Sequence, residues 1–189
     1  MSTPAVVLSV CRGLPAEHLH PDGTRVRTAI FKAPVAGPVA VRRLGLEGDG
    51  QADRRHHGGE EKALYAISAT HYPHFARLLG RELERGQFGE NLTLSVAEEE
   101  GIRRGDRFRC GTALVEVTTP RVPCRMVDLR VGPGFLGPFL DSGRWGFYLR
   151  VVEEGVVAEG DPWNPVEANP SGPTLAESIA ETVRRKRGG

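Results

Sequence analysis

The run Arg107-Phe108-Arg109-Cys110-Gly111-Thr112-Ala113-Leu114-Val115-Glu116-Val117-Thr118 decides the fold class. Two short segments rich in β-branched and aromatic residues flank a Gly-Thr step, and that pattern predicts a β-hairpin. Similar short runs recur on both sides. Val6 to Val10 reads as a buried-type strand, and Thr24 to Phe31 alternates, with Val26, Thr28 and Ile30 on one face and Arg25 and Arg27 on the other. Pro38 to Val41, Ala63 to Ile67 and Asn91 to Val96 follow, and Trp145 to Val152 with Gly155 to Val157 reads as a final pair across Glu153-Glu154. Many short strands separated by Gly and Pro predict a mainly β fold, a barrel or sandwich, instead of alternating β-α-β units.

Helical patterns are few. One starts near Ser68-Ala69-Thr70-His71, carries Pro73 in its first turn and stops at Gly80. Met126 to Leu129 suits a single turn, and Phe135 to Leu140 is interrupted by Pro138. The strongest runs from Thr174 to Arg187: Thr174 and Glu177 have capping-box spacing, and Leu175, Ile179 and Val183 share a face. The Asn164 to Pro173 stretch, rich in Pro, Asn, Ser and Gly, reads as a linker, so residues 1–162 are expected to form a β domain and 163–189 a linker with a C-terminal helix.

The 189 residues carry a net charge of +1, which offers no basic excess for nucleic acid and no acidic excess for disorder. Mean hydropathy is −0.31 and no apolar run approaches a membrane span. No secretory signal is visible, and the three cysteines, Cys11, Cys110 and Cys124, are widely spaced with no CxxC pair. A cytoplasmic, membrane-free protein with unbridged cysteines is expected. All basic residues except Lys32, Lys62 and Lys186 are Arg, a bias that suits anion binding and equally a GC-rich genome.

Four segments stand out chemically. Gly45 to Gly59 is almost free of apolar residues, and its Gly58-Gly59 step with Arg54, Arg55, His57 and Lys62 suits an anion, or only a solvated turn. His56-His57 with Asp49 and Asp53 raises a metal question, but the spacing of known zinc motifs is missing. In Gln87 to Leu92, Asn91 offers a donor and an acceptor suited to a heterocycle edge, or to its own turn. In Pro120-Arg121-Val122-Pro123-Cys124-Arg125, two prolines stiffen the backbone and two arginines flank a cysteine, which favours the thiolate; the alternative is a buried inert thiol. Cys11 and Cys110 lie within apolar strands and read as packing residues. Gly143 and Gly146 bracket Arg144-Trp145 in a turn of structural or functional use.

In order, these segments resemble the MOSC domain (molybdenum cofactor sulfurase C-terminal type), particularly its bacterial YiiM-type members. The resemblance is carried by Gly45-Leu46-Glu47-Gly48-Asp49 with Gln51-Ala52, His57-Gly58-Gly59, Ala63-Leu64, His71-Tyr72-Pro73, Phe88-Gly89-Glu90-Asn91-Leu92, Gly105-Asp106, Phe108-Arg109, Pro120-Arg121, Pro123-Cys124 and the Gly143 to Tyr148 turn, across roughly residues 5–160. The Thr174 helix resembles the start of the helical extension of the YiiM type, here about one helix long.

The resemblance implies a MOSC-like β-barrel with a few peripheral helices and a short C-terminal helix. It implies molybdenum cofactor (molybdopterin) bound through Cys124 as catalytic residue and metal ligand, with Arg54, His57, Lys62, Asn91, Arg121 and Arg125 holding pterin and phosphate. Pyridoxal phosphate is not expected. The implied activity is reduction of N-hydroxylated compounds, such as N-hydroxylated purine bases. No flavin or iron–sulfur motif appears, so a separate flavoprotein reductase is the expected electron donor, alongside a small-molecule substrate and a possible homodimer. The alternatives are a sulfur carrier using a Cys124 persulfide and a non-enzymatic cofactor carrier.

Overall fold

The computed structural model describes residues 5–52 and 57–187. Its strands are β1 (Val7–Arg12), β2 (Ala16–Leu19), β3 (Arg25–Thr28), β4 (Ala33–Pro34), β5 (Val39–Arg42), β6 (Gly45–Leu46), β7 (Leu64–Ser68), β8 (Leu92–Leu94), β9 (Arg107–Cys110), β10 (Ala113–Pro120), β11 (Phe147–Glu153), β12 (Gly155–Val157) and β13 (Trp163–Glu167). Four helices join them: α1 (Tyr72–Leu79), α2 (Met126–Arg130), α3 (Leu136–Ser142) and α4 (Leu175–Arg187). The fold is mainly β, as expected.

The Gly111-Thr112 hairpin forms as read, with Ala113 opposite Cys110 and Glu116 opposite Arg107. It belongs to an eight-stranded mixed sheet in the order β13-β9-β10-β11-β7-β8-β1-β4, in which β7 and β8 are parallel and the other pairs antiparallel. The barrel expectation needs correction. The ladder is an open sheet, and the starts of β1 and β13 are joined by the isolated Val6–Pro162 bridge and by short backbone contacts, Val7 N–H to Asp161 O at 2.9 Å, Gly160 N–H to Val7 O at 2.8 Å and Trp163 N–H to Ala5 O at 2.8 Å. Pro162, at the bridge itself, has no N–H to donate to this seam.

Two further expectations are overturned. Gly155–Val157 does not pair with the strand before it; it pairs with β5, with Gly155 opposite Val41 and Val157 opposite Val39. The stretch read as a linker from Asn164 begins as strand β13, with Trp163 stacked on Phe108 at 4.4 Å and buried. Its proline is tolerated because β13 is an edge strand.

Period-two alternation splits the core. Leu64, Ala66, Phe147 and Leu149 face one cluster with Val115, Val117 and Trp163. Tyr65, Ile67 and Tyr148 face the other, where Phe75, Phe88, Phe135, Phe139 and Trp145 pack beneath α1, α3 and α4. The helical reading of 68–80 holds: a 3₁₀ turn at Ala69–His71 leads into α1, and Gly80 closes it in the left-handed region at φ 64°. Pro138, which made Phe135–Leu140 ambiguous, sits in the first turn of α3, where its missing N–H costs nothing. The capping box of α4 is reciprocal, with Glu177 N–H to Thr174 Oγ1 at 3.1 Å and Thr174 N–H to Glu177 Oε2 at 2.7 Å. Among the described residues, no helix is long and apolar enough to cross a membrane.

Candidate functional site

The same alternation builds the site. Tyr65 on β7 and Tyr148 on β11 are direct cross-strand partners, so both rings emerge on one face, with centroids 5.9 Å apart. Beside them β10 ends at Pro120, and Arg121 is held by its own N–H to Gly146 O at 3.0 Å. The Arg121 guanidinium, 5% exposed, lies 5.4 Å over the Tyr65 ring. The stiff Val122-Pro123 step then delivers Cys124 to the start of α2, where its carbonyl accepts from Val127 N–H at 3.0 Å.

Cys124 is the half-buried cysteine; Cys11 and Cys110 are buried, and burial pushes both of those thiols up to about 12. Burial also works against ionisation of Cys124, but a hydrogen bond from His57, the charge of Arg121 and the Met126 N–H outweigh it and lower the thiol from the usual 9.0 to about 6. The sulfur is therefore mostly thiolate at neutral pH. The His57 ring is oriented by Tyr148, whose hydroxyl lies 3.0 Å from Nδ1. Lys62 places its ammonium 5.6 Å from the centroid of the Tyr148 ring.

These groups open onto a cavity of about 480 Å³, a size suited to a small organic ligand. His57, Lys62, Asn91, Arg121, Cys124 and Arg125 all line it, so six of the seven residues named from sequence are brought together. The seventh, Arg54, lies outside the described residues, as do Asp53 and His56 of the suspected metal cluster. Asp49 of that cluster is committed elsewhere. It pairs with Lys32, accepts from Gly13 N–H at 2.8 Å and accepts from Asn91 Nδ2 at 2.9 Å.

Not every lining residue is disposed as its type suggested. Both Asn91 amide hydrogens are taken, by Asp49 and by Cys11 O at 3.2 Å, while its Oδ1 accepts from Tyr65 N–H at 3.1 Å. Asn91 thus clamps β1, β7 and the Gly45–Gly59 loop together, and Glu90 beside it ties Tyr72, Gly86 N–H and Phe88 N–H. The Gly59 N–H, expected to meet an anion, donates to Gln51 Oε1 at 2.9 Å. Arg125 reaches across to Asp22 at 3.0 Å and accepts at its carbonyl from His20 Nε2 at 3.3 Å, which ties the β2–β3 hairpin to the cysteine loop.

Sequence reasoning missed Lys32, Tyr65, Tyr148, Met126 and the wall formed by Val26 to Ile30. Lys32 carried a usable signal, as a rare lysine closing an apolar run in an arginine-biased chain. The tyrosines carried none, because each looks like an ordinary strand residue until the register pairs them. Among the described residues the lining is cationic, with Lys32, Lys62, Arg121, Arg125 and Arg27 against the acid Asp49, and it surrounds a soft thiolate.

A second group, His71, Glu98 and Glu99, lies within 4.8 Å. Glu99 accepts from His71 Nε2 at 2.9 Å and from Gly146 N–H at 3.0 Å, so it braces the turn that carries Arg121 and Tyr148.

The MOSC domain family model matches residues 53–164, more than half of the chain. The chain is 41% identical to the uncharacterized protein YflK of Bacillus subtilis, covering 82% of this chain and 70% of that one. It is 33% identical to protein YiiM of Escherichia coli over 76% of this chain and 65% of YiiM. It is also 33% identical to a Gibberella moniliformis protein named reductase, over 74% of this chain and only 26% of that protein. Among solved structures, YiiM from Geobacillus stearothermophilus superposes with a TM-score of 0.78 at 31% identity, covering 97% of this chain and 86% of that one.

Proposed function

The chain belongs to the MOSC domain family, and from that premise we propose that it binds molybdenum cofactor through Cys124 and reduces N-hydroxylated compounds, such as N-hydroxylated purine bases, with electrons from a separate flavoprotein reductase. The observation that carries this reading is the Cys124 thiolate, lowered to about 6, at the wall of a cationic cavity. MOSC domains are associated with molybdenum cofactor, and the residues here fit that group. A thiolate is a soft ligand for molybdenum, and a phosphate-bearing pterin is an anion that Arg, Lys and backbone N–H groups stabilise. The reductase name of the Gibberella relative supports the direction of the chemistry, although this chain matches only 26% of that protein.

When bound, the cofactor supplies two-electron oxygen-atom chemistry. The protein's own residues do the rest. Cys124 offers the ligand atom without first losing a proton at neutral pH. His57 donates to the sulfur and is held in place by the Tyr148 hydroxyl. Arg121 keeps negative charge favourable beside the sulfur, and its stacking on Tyr65 prevents it from folding away. Arg125 and Lys62 present cations at the cavity wall for a phosphate. The test is molybdenum and pterin content of wild type against Cys124→Ser after expression in a molybdenum-replete host. Stoichiometric molybdenum lost in the variant supports the reading; equal content in both sinks it.

The low thiol titration also favours a second reading, a sulfur carrier in which Cys124 holds a persulfide. It predicts a labile sulfane sulfur on Cys124 and no molybdenum.

A further inference from the structure

One wall of the cavity takes no part in the chemistry above. Five consecutive residues, Val26 to Ile30, line it. Successive side chains of an extended segment point to opposite faces, so five in a row reach one cavity only where the segment presents its edge.

The phase of the β2–β3 ladder says which main-chain groups that edge carries. The hairpin closes with Gly23 N–H to His20 O and His20 N–H to Thr24 O, both 2.8 Å, with Gly23 at φ 85°. The His20 N–H and the Thr24 carbonyl therefore face each other across the ladder and set its phase. The register continues Leu19–Arg25, His18–Val26, Glu17–Arg27, Ala16–Thr28. Hydrogen-bonded and non-hydrogen-bonded pairs alternate in an antiparallel ladder, so the N–H and C=O of Arg27 point away from β2.

Among the described residues β3 has no second strand partner. Ala29 is buried, and among the described residues its main-chain N–H and C=O have no hydrogen-bond partner. Its neighbour Ile30 is satisfied, with its N–H on Thr28 Oγ1 at 3.2 Å and its carbonyl accepting from Lys32 N–H at 2.9 Å. Main-chain donors and acceptors are nearly always paired, so groups that no protein partner takes are met by whatever occupies the space beside them. Donors and acceptors in this state, facing a cavity walled by two tyrosines, are suited to a planar ligand.

We infer that the outer edge of β3 and the extended residue after it, through the main-chain groups of Arg27 and Ala29, reads a fused heterocycle that carries an adjacent donor and acceptor, as a lactam or amidine does. This rests on the cavity being the cofactor and substrate site proposed above. Two sources share the chemistry, the pterin of the cofactor and the purine-type base of the substrate. A strand edge discriminates sharply, because a ligand lacking the matching donor leaves a protein carbonyl unpaired.

The experiment is calorimetric binding of hypoxanthine, 1-methylhypoxanthine and pterin to the full chain, purified with and without molybdenum cofactor. Hypoxanthine is expected to bind the cofactor-free protein about tenfold more tightly than its N1-methyl analogue. Ala29→Pro, which removes one N–H from the edge, is expected to weaken hypoxanthine by a similar factor while the circular dichroism spectrum is kept. Should that variant not fold, the methyl comparison on wild type decides alone. If loaded protein still discriminates against the methyl group, the edge reads the substrate; if the cofactor displaces hypoxanthine and free pterin competes with it, the edge reads the pterin. Equal affinity for the two hypoxanthines, or no binding of either, overturns the inference. Absence of molybdenum from the wild type refutes the proposed function instead, and it is scored on separate samples.

Discussion

Replacing His57 by Ala tests the geometry around Cys124 most directly. Burial raises the Cys124 thiol, and the His57 hydrogen bond is the leading effect that lowers it. Without it, Arg121 and the Met126 N–H are left to oppose burial, so the thiol should return toward the ordinary 9.0. The size of the effect on reactivity follows from two opposed terms. At pH 7 a thiol titrating near 6 is roughly 90% ionised and one near 9 roughly 1%, a loss of about ninetyfold in thiolate. The more basic thiolate is intrinsically about twentyfold more nucleophilic, given a Brønsted slope of roughly 0.4–0.5 over about three units.

The net change at pH 7 is thus only about fourfold, and above pH 9 the variant should react faster than wild type. The informative quantity is the inflection of rate against pH with a disulfide reagent on cofactor-free protein. Cys11 and Cys110, buried and held near 12, stay silent, so one cysteine is read. The wild-type inflection should fall at about 6 and the variant's two or more units higher, as roughly expected for loss of the main charge-stabilising partner. An inflection that stays near 6 in His57→Ala would refute the assignment of His57 as the group that holds the thiolate.

Three other outcomes follow from the same structure. Asp49→Ala leaves the buried Lys32 ammonium, the Gly13 N–H and one Asn91 hydrogen without their acceptor, and should cost about 3–5 kcal/mol in urea unfolding. Gly146→Ala should unfold the protein or expel Arg121 from its place, since a Cβ there would sit 2.3 Å from Ala66 O at φ 67°; thermal unfolding and molybdenum content both read it. Cys124 should also make stability depend on pH. Below about 6 both native and unfolded states keep the proton, whereas between 6 and 9.0 only the unfolded state does. Native stability should therefore climb with pH across that window by up to ~1.4 kcal/mol per unit, level off above it, and lose this slope in Cys124→Ser.

Local patterns in the sequence were enough for the hairpin at Gly111-Thr112, α1, the α4 capping box and the contrast between Cys124 and the two buried cysteines, because each rests on neighbours a few residues away. The pairing of Gly155–Val157 with β5 was not legible, since its partner strand lies far away in the sequence. For the same reason Tyr65 and Tyr148 were invisible as site residues; eighty-odd residues separate them, and only register makes them partners. Asn91 was noticed as a paired donor and acceptor, but its engagement with Tyr65 N–H, Cys11 O and Asp49 depends on strands far apart in the sequence. Trp163 to Glu167 was lost to its prolines, which mark an edge strand as readily as a linker.

The seam between β1 and β13 bears on how the molecule comes apart. The tyrosine pair of the pocket rides on β7 and β11, in the middle of the strand order, while the seam joins strands near its two ends by one isolated bridge and a few backbone hydrogen bonds around Val7 and Trp163. Opening there breaks few backbone bonds and leaves the Tyr65–Tyr148 pair intact, so excursions at the rim and integrity at the sulfur are separable. In amide exchange, Trp163 should lose its protection in a low-energy opening, while Tyr65 and Leu149 should wait for the whole sheet to unfold.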